Sequence, residues 1–357
     1  MAPSDDLMPV FDGHNDVLLR LWRQGPVGAE ERFLNGEVTG HLDLPRIRKG
    51  GFAGGLFAIF VPGMERGSDG DAAMRQTQYD MPLPPEVKIP DALPVTLALA
   101  ALLVRIERAS RGQVQVCTTA AGIRDCMARG VLAPVMHIEG AEAIDPDLYA
   151  LDVLVEAGLR SIGPVWSRSN IFGHGVPFRF PSSPDTGPGL TEAGERLVKA
   201  CDRLGIMIDL SHITEKGFWD VARQSTKPLV ASHSNAHSVT PHSRNLTDRQ
   251  LDAIRESRGI VGINYACAFL RQDGRMIADT PLDDLLRHAD HLIERLGVDH
   301  VGLGSDFDGA VIPAAMKDAA GLPALVAAMR RHGYDEATLR KICHENWLNV
   351  LERTWGA

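Results

Sequence analysis

The sequence predicts an α/β protein with the architecture of a (β/α)₈ TIM barrel. Short apolar runs alternate with amphipathic stretches along its 357 residues, which is the pattern of βα units around a parallel sheet. The chain exceeds the usual barrel length of about 250 residues but stays within the range that loop insertions allow. No Gly-x-Gly-x-x-Gly follows the first predicted strand, so an open doubly wound sheet with a bound dinucleotide is disfavoured.

Eight apolar runs have the length of strands. They cover residues 10–12, 55–61, 133–139, 159–165, 207–211, 228–232, 259–265 and 300–305. Between them, apolar residues recur every three or four positions, which predicts helices over 192–204, 217–224, 248–258 and 282–296. Helix signals support these bounds: Thr191 and Thr247 are expected N-caps, and Gly205, Gly259 and Gly297 are expected stops.

We expect one barrel domain over residues 1–357, with loop insertions near 65–95 and 167–189. The first insertion is polar and proline-rich, and a long helix over 94–110 should follow it. The second is rich in glycine, proline, serine and phenylalanine and follows the fourth strand, where the loops of a barrel's catalytic face emerge. Long loops at that position usually shape a substrate pocket.

Composition and charge exclude several classes of partner. The formal charge of −9 argues against nucleic acid, which requires a basic surface. The cysteines are odd in number, scattered and without a Cys-x-x-Cys pair, so neither a disulfide framework nor a cysteine-ligated zinc is expected (Cys117, Cys126, Cys201, Cys267 and Cys343). No signal peptide, lipid-anchor signal or apolar stretch of about 18 residues is recognised, so we expect a cytoplasmic protein without a membrane partner.

Metal-ligand side chains fall at the ends of five predicted strands. His14 and Asp16 end the first, Glu139 the third, His212 the fifth, His233 the sixth and Asp306 the eighth. The carboxyl ends of barrel strands meet at one rim, so these side chains should converge there. Three imidazoles with two or three carboxylates suit one or two zinc ions, and a central carboxylate could bridge two metals.

Taken singly, each of these residues has an ordinary structural explanation. A lone His-x-Asp is usually accidental, His212 or His233 alone would be a hydrogen-bonded histidine, and Asp306 could cap a helix. Only their joint placement at one rim predicts a metal site. His137 lies one layer deeper and is expected to be a hydrogen-bonded core residue.

The remaining histidines carry weaker signals. Those on helical patterns are expected at the surface or in packing (His288, His291, His332 and His344), and His300 lies at the wrong end of its strand. Three further histidines lie on catalytic-face loops, and their roles stay open (His174, His237 and His242). Arg244, eleven residues beyond His233, could hold a substrate carboxylate bidentately, although an ordinary surface arginine is the alternative.

The segments FDGHND, HIEG, DLSH, SHSNAHSV…SRN, GLGSDFDG and ENWLNVL resemble, in order, those of the renal (membrane) dipeptidase family, metallopeptidases of the amidohydrolase superfamily. The resemblance implies two zinc ions. One would be held by His14, Asp16 and Glu139, and the other by Glu139, His212 and His233, with Glu139 bridging. It also implies that Asp306 is a catalytic proton carrier and that Arg244 binds the carboxylate of a dipeptide.

One position departs from the family pattern. Many members have a histidine after strand four that is thought to contact the substrate carbonyl, whereas this chain has Trp166. We assign Trp166 to the substrate site and expect either that Arg168 or His174 substitutes, or that the metal alone polarises the carbonyl. The chain resembles the bacterial, intracellular branch of the family.

The expected function is therefore a zinc metallodipeptidase that hydrolyses free dipeptides, including L-Xaa-D-Xaa, through attack by a metal-bridging hydroxide. Two alternatives stay open: another amidohydrolase reaction (a lactone, a β-lactam or a deamination) on the same site, and a non-catalytic metal- or peptide-binding protein on a decayed barrel. Barrel enzymes often pair through their outer helices, so a homodimer is left open as a partner.

Overall fold

A computed structural model describes residues 7–63 and 70–356, the side chains of residues 70 and 71 excepted. Its main sheet has eight parallel strands: β1 (Val10–Asn15), β2 (Phe52–Phe60), β3 (Ala133–Glu139), β4 (Leu159–Gly163), β5 (Met207–Ile208), β6 (Val230–Ala231), β7 (Ile260–Asn264) and β8 (Val301–Gly304). They neighbour one another in the order β5-β4-β3-β2-β1-β8-β7-β6. A parallel bridge between Asp209 and Val230 joins the two end strands. The predicted (β/α)₈ TIM barrel is confirmed.

The helices that connect and surround these strands are α1 (Val17–Arg23), α2 (Ala29–Asn35), α3 (Leu44–Gly50), α4 (Gly70–Ala73), α5 (Ile89–Ala109), α6 (Ala120–Ala128), α7 (Tyr149–Glu156), α8 (Glu192–Leu204), α9 (Glu215–Gln224), α10 (Asp248–Glu256), α11 (Cys267–Leu270), α12 (Leu282–Leu296), α13 (Leu322–His332), α14 (Glu336–Arg340) and α15 (Asn346–Trp355). A π-helical turn, Lys341–Glu345, leads into α15, and 3₁₀ turns lie at Val298–His300 and Ala319–Gly321.

The end of the barrel opposite the ligand rim is filled by the C-terminal helix. Trp347 of α15 is fully buried in a cluster with strand residues such as Phe11 and Val230. Its indole Nε1–H donates a hydrogen bond to the Leu303 carbonyl (2.9 Å). Gly13 meets the same indole, and a Cβ at this position would lie 2.2 Å from the Ser232 carbonyl oxygen. Only glycine fits there, immediately before His14.

Local signals account for most helix bounds. The Thr191 hydroxyl accepts a hydrogen bond from the Gly194 amide at the start of α8, and Gly205 ends that helix with a left-handed φ of 68°. The expectation that Gly259 stops α10 is wrong. The helix ends at Glu256, Arg258 takes the left-handed conformation, and Gly259 is required because a Cβ would lie 1.8 Å from the Leu229 carbonyl oxygen.

Helix α5 begins five residues earlier than the predicted position 94. Pro90 occupies its first turn, where a proline loses no helical hydrogen bond, and Pro94 lies inside it. By length and hydropathy alone, α5 could cross a membrane, although no apolar stretch of that length was expected. In the structure it packs on α1, α2 and β2, with Leu99 and Leu103 fully buried. This packing is that of a helix in the outer layer of the barrel.

The two insertions meet above the ligand rim. Part of the first, residues 64–69, lies outside the described residues. Its strand Tyr79–Asp80 pairs antiparallel with Arg179–Phe180 of the second. The Tyr79 and Phe180 rings join an apolar cluster with Phe269 and Met276, and the Tyr79 hydroxyl donates to the Gly274 carbonyl. The loops after β2, β4 and β7 are therefore held together over one side of the barrel mouth.

Candidate metal centre and substrate cavity

The six predicted metal-site residues converge at the carboxyl ends of five strands. They come from β1 (His14, Asp16), β3 (Glu139), β5 (His212), β6 (His233) and β8 (Asp306). All but Asp306 are buried, and Asp306 is partly exposed. Ligand atoms of His14, Glu139 and His233 lie within 4.8 Å of one another, as do those of His14, Asp16 and Asp306. The structure thus assembles the group that the strand ends predicted.

The two carboxylate oxygens of Glu139 face different partners. Oε2 lies 3.6 Å from His14 Nε2, which in turn lies 3.3 Å from Asp16 Oδ2. Oε1 lies 3.1 Å from His212 Nε2 and 3.3 Å from His233 Nε2. Ligand atoms about 2.0–2.1 Å from a tetrahedral zinc ion are separated from one another by about 3.3 Å. The spacing on both sides of Glu139 therefore fits a pair of cations.

The charges of the site also suit bound cations. Burial raises the pKa of Glu139 well above its usual value, as does proximity to Asp16 and Asp306. Burial lowers the pKa of His14, but nearby carboxylates, Glu139 foremost, outweigh it and bring the pKa to about 10. The surrounding carboxylates thus favour a positive charge at His14 Nε2. A bound metal ion would supply that charge.

The surroundings of His212 and His233 favour the neutral form of both rings. Burial, reinforced by Arg244 and His14, lowers the pKa of both His212 and His233 well below its usual value. Each Nδ1 atom lies against a serine hydroxyl: His212 Nδ1 is 2.8 Å from Ser167 Oγ, and His233 Nδ1 is 2.7 Å from Ser232 Oγ. Both Nε2 atoms, 3.0 Å apart, are thereby directed towards Glu139.

Asp306 lies beside this centre on a strained segment. Its φ is 58°, and His212 also adopts a left-handed conformation with a φ of 67°. Such conformations are uncommon for residues other than glycine and concentrate at functional sites. The Asn264 side chain donates a hydrogen bond to Asp306 Oδ2 (2.9 Å), and burial raises the pKa of Asp306. The position of Asp306 at the rim allows its carboxylate to accept a proton.

A cavity of 590 Å³ opens above the ligands and is lined by Asp16, Glu139, His212 and Asp306 among others. Its wall includes Trp166, whose ring lies 4.9 Å from that of Phe60 and 5.7 Å from that of Phe178. Met74, Met81 and Met276 also line it. Trp166 thus lines the cavity, within an aromatic and methionine-rich wall that suits apolar groups.

The two residues considered as substitutes for the family histidine are already engaged. Arg168 is buried and donates from Nε and from a terminal nitrogen to Glu142 Oε1, at 3.0 and 2.8 Å. The same terminal nitrogen bonds the Val61 carbonyl. His174 Nδ1 lies 3.0 Å from the Gly189 carbonyl oxygen, away from the ligands. Arg168 still lines the cavity, so it can contribute charge there without leaving its partners.

Arg244 lies beside His233, and its guanidinium carbon is 5.4 Å from the centroid of the Phe269 ring, which lines the cavity. One terminal nitrogen donates to the His233 carbonyl (3.0 Å), the other contacts the Ser234 hydroxyl (3.3 Å), and Nε is buried without a hydrogen-bond partner. Burial lowers the pKa of Arg244 to about 10, so the side chain stays cationic at neutral pH. Arg244 is not among the residues that line the cavity, whereas Arg23 of α1 is.

Other histidines have structural roles. His137 is fully buried and hydrogen-bonded as expected, with its Nδ1 2.8 Å from Ser161 Oγ. It also forms a group with His14 and Asp209 whose ligand atoms lie within 4.8 Å of one another. His300 Nδ1 contacts the Gly259 carbonyl oxygen (2.8 Å), away from the rim. His288 is fully buried, although its helical pattern also allowed a surface position. His242 is buried as well, with Nδ1 accepting a hydrogen bond from the Arg244 amide.

Several residues around the site were not assigned a role from the sequence. Asn264, Ser167 and Ser232 contact the metal-site side chains directly. Ser232 and Asn264 could have been considered, since both lie at strand ends on the same rim. Ser167 lies within an irregular loop, where no periodic pattern indicates which way a side chain points. Arg23 is the last residue of α1, the helix after the first strand, and no sequence pattern distinguishes it as a site residue.

A TIM barrel whose rim gathers three histidines and three carboxylates is typical of metal-dependent hydrolases. A family model described as membrane dipeptidase (peptidase family M19) matches residues 5–355, and the chain belongs to that family. Its members are metallopeptidases, so the chain is of the dipeptidase type of hydrolase.

Two solved structures agree with this assignment, and the chain is also similar to a curated sequence whose description gives no function. The chain is 61% identical to a metallopeptidase from Rhodobacter sphaeroides bound to a phosphinate mimic of the dipeptide L-Ala-D-Ala (TM-score 0.96, covering 98% of this chain and 100% of that one). It is equally similar to a structure described as dipeptidase AC (61% identity, TM-score 0.96, coverage 99% and 100%). An uncharacterised protein encoded in the pqqA 5′ region of Klebsiella pneumoniae is 50% identical over 265 residues, which are 74% of this chain and 98% of that protein.

Proposed function

We propose that the protein is a zinc dipeptidase that hydrolyses the peptide bond of free dipeptides, including those with a D-residue at the second position. The observation that carries this proposal is Glu139, whose two oxygens face two separate ligand groups. The substrate class is supported by the Rhodobacter sphaeroides relative, which binds a phosphinate mimic of L-Ala-D-Ala. At 61% identity over nearly the whole chain, the relative and this protein share their fold closely.

The donor set fits two zinc ions. His14, Asp16 and Glu139 would hold one, and Glu139, His212 and His233 would hold the other, with Glu139 bridging. Nitrogen and carboxylate donors are among the ligands that zinc prefers, and each of the two ions would be held by three side chains of this chain. Two bound zinc ions supply a water of lowered pKa and a Lewis acid for the substrate carbonyl.

The remaining site residues act on the substrate and on protons. Asp306 accepts the proton of the attacking water at its carboxylate and returns it to the leaving amine, a role that its position at the rim supports. Trp166 and its aromatic neighbours exclude water and contact an apolar side chain of the dipeptide. Arg244 attracts the free carboxylate of the second residue, which favours dipeptides over longer peptides.

Metal analysis combined with a substrate library tests this proposal. The purified protein should contain two zinc ions per chain and hydrolyse members of an L-Xaa-L-Xaa and L-Xaa-D-Xaa panel. Lactones, β-lactams and deaminase substrates in parallel arms would reveal another amidohydrolase reaction. A protein that binds zinc but turns over none of these compounds would contradict enzymatic function.

We also propose a cytoplasmic location. The support is that all five cysteines are buried and unpaired, as is usual in a reducing compartment (Cys117, Cys126, Cys201, Cys267 and Cys343). Fractionation of the producing cells with antibody detection tests the location. Size-exclusion chromatography with light scattering tests whether the chain forms a homodimer.

A further inference from the structure

We propose that Asp209, acting through the Ser232 hydroxyl, holds His233 in the tautomer whose Nε2 carries a free lone pair, and so sets the cation affinity of the half-site that His233 shares with His212. Asp209 and Ser232 are positioning residues in this proposal, since neither touches the substrate cavity. The proposal rests on the two-cation site of the proposed function, but its test does not require dipeptidase activity.

The three side chains form a continuous buried chain of short contacts. Ser232 Oγ lies 2.5 Å from Asp209 Oδ2 and 2.7 Å from His233 Nδ1. The other carboxylate oxygen, Asp209 Oδ1, accepts hydrogen bonds from the Ser211 amide (3.0 Å) and the Ser232 amide (2.8 Å). All three side chains are at most 1% exposed, so water does not compete for these contacts.

The available protons determine the direction of each bond. A carboxylate can only accept, and a serine hydroxyl has one proton to donate. The Ser232 hydroxyl must therefore donate to Asp209, because two oxygens without a proton between them would repel at 2.5 Å. Its lone pairs then face His233 Nδ1, which has to carry the ring proton. The proton is thereby excluded from Nε2.

This tautomer is the one that a metal site requires. His233 Nε2 points at Glu139 Oε1 (3.3 Å) and lies 3.0 Å from His212 Nε2. A proton on His233 Nε2 would occupy the direction in which a cation binds. Partners behind a ligand histidine generally fix its ring and tautomer in this way, and their loss typically costs 10–100-fold in metal affinity.

His212 provides a matched comparison within the same half-site. Its Nδ1 also contacts a serine hydroxyl, Ser167 Oγ at 2.8 Å. Among the contacts of the described residues, no carboxylate lies behind Ser167, so this hydroxyl can either donate or accept. The tautomer of His212 is thus not imposed by its serine, whereas that of His233 is.

Asp209 also has a structural role, which the test must separate from the proposed one. Its Oδ1 joins the segment after β5 to β6, beside the bridge between Asp209 and Val230 that closes the barrel. Asp209→Asn can keep this role, since the amide oxygen still accepts from the two backbone amides. The new NH₂ group would instead face Ser232 Oγ and donate to it. Ser232 would then donate to His233 Nδ1 and drive the ring proton onto Nε2.

The experiment measures Zn²⁺ affinity of the metal-free protein by competition with a chromophoric chelator. We compare the wild type with Asp209→Asn, Ser232→Ala and the control Ser167→Ala. We expect one of the two Zn²⁺ sites to weaken by at least about tenfold in Asp209→Asn, less in Ser232→Ala and least in Ser167→Ala. A purely structural role predicts lower melting temperatures without this order of affinities, and that result would overturn the proposal.

Nitrogen NMR of the wild-type protein provides a readout that does not depend on any variant folding. Long-range ¹H–¹⁵N spectra of the metal-free protein should show the His233 proton on Nδ1, and a proton on Nε2 would refute the relay. If the dipeptide library fails while Asp209→Asn loses zinc, the proposed substrate is wrong and the relay stands. If dipeptides are hydrolysed and all variants bind zinc as the wild type does, the relay alone is wrong.

Discussion

The imidazole rings of His14 and His233 stack face to face, with centroids 3.9 Å apart and planes inclined by 28°, although two other strands separate β1 from β6 in the sheet. Their Nε2 atoms nevertheless address different oxygens of Glu139. One carboxylate oxygen of Glu139 thus faces His14, and the other faces His212 and His233.

Glu139→Gln should remove the bridge, because an amide keeps only one acceptor oxygen and presents hydrogens to the other half-site. We expect the zinc content to fall from two ions to at most one and kcat/KM to fall by at least about a thousandfold, as several kcal/mol of charge stabilisation are lost. Metal analysis and steady-state kinetics check this. Glu142→Gln is the control, since Glu142 is equally buried but pairs with Arg168. Full zinc content in Glu139→Gln would contradict the bridging role.

Asp306→Asn tests the proton carrier. Asparagine tolerates the left-handed backbone that Asp306 adopts (φ 58°), so the fold should persist. Loss of general acid–base catalysis should lower kcat by about 10²–10⁴-fold while the zinc content is unchanged. Asp308→Asn is a conformational control, because Asp308 is also left-handed but accepts a hydrogen bond from the His41 amide. An unchanged kcat in Asp306→Asn would assign the proton transfer to another group.

The barrel and the ligand set were predictable because both depend on short-range patterns. Every predicted apolar run overlaps a strand, and side chains at the ends of parallel strands must meet at one rim. The strand lengths were less predictable. Met207–Ile208 and Val230–Ala231 are only two residues long in the structure, because the Asp209 side chain takes over backbone amides that a longer ladder would have bound.

The arrangement of the loops could not be predicted in the same way. Arg244 is the arginine that the sequence assigns to the substrate, and in the structure its guanidinium bonds the His233 carbonyl and lies over the Phe269 ring, which lines the cavity. Arg23 also lines the cavity, and no sequence pattern indicated this. Which arginine reaches a substrate depends on how the loops above the rim fold against one another, and such long-range contacts leave no periodic pattern in the sequence.

Arg244→Met and Arg23→Met together decide which arginine serves the substrate carboxylate. If Arg244 does so, Arg244→Met should raise KM for dipeptides by about tenfold or more, because a charge-assisted hydrogen bond contributes about 1.5–3 kcal/mol. The KM for a dipeptide amide, which lacks the carboxylate, should change little. Arg23→Met should leave both values near those of the wild type. The reverse pattern would move the carboxylate to the cavity mouth, where Arg23 lies.

The stability of the metal-free protein should depend on pH through His288. This buried histidine accepts a hydrogen bond from the Ala236 amide at Nδ1, and Nε2 lies 3.1 Å from the Leu270 carbonyl oxygen. Burial lowers its pKa to about 3 in the folded chain, whereas an ordinary histidine has a pKa of about 6.5. Between these values the unfolded chain binds a proton that the folded chain does not. The free energy of unfolding should therefore fall as pH decreases through this window, with a contribution from His288 of up to about 1.4 kcal/mol per pH unit.

The free energy of unfolding of the metal-free protein is measured by chemical denaturation between about pH 4 and pH 6.5. In this range the unfolded chain binds the His288 proton and the folded chain does not. His288→Gln should be less stable at neutral pH, because the Ala236 amide loses its acceptor, but its stability should vary less with pH than that of the wild type. Leu285→Ala on the same helix is the matched control, since it removes a buried side chain without a titratable group and should retain the wild-type slope. Parallel pH profiles for wild type and His288→Gln would mean that His288 becomes protonated within the folded protein, and that the Leu270 carbonyl stabilises its charged form.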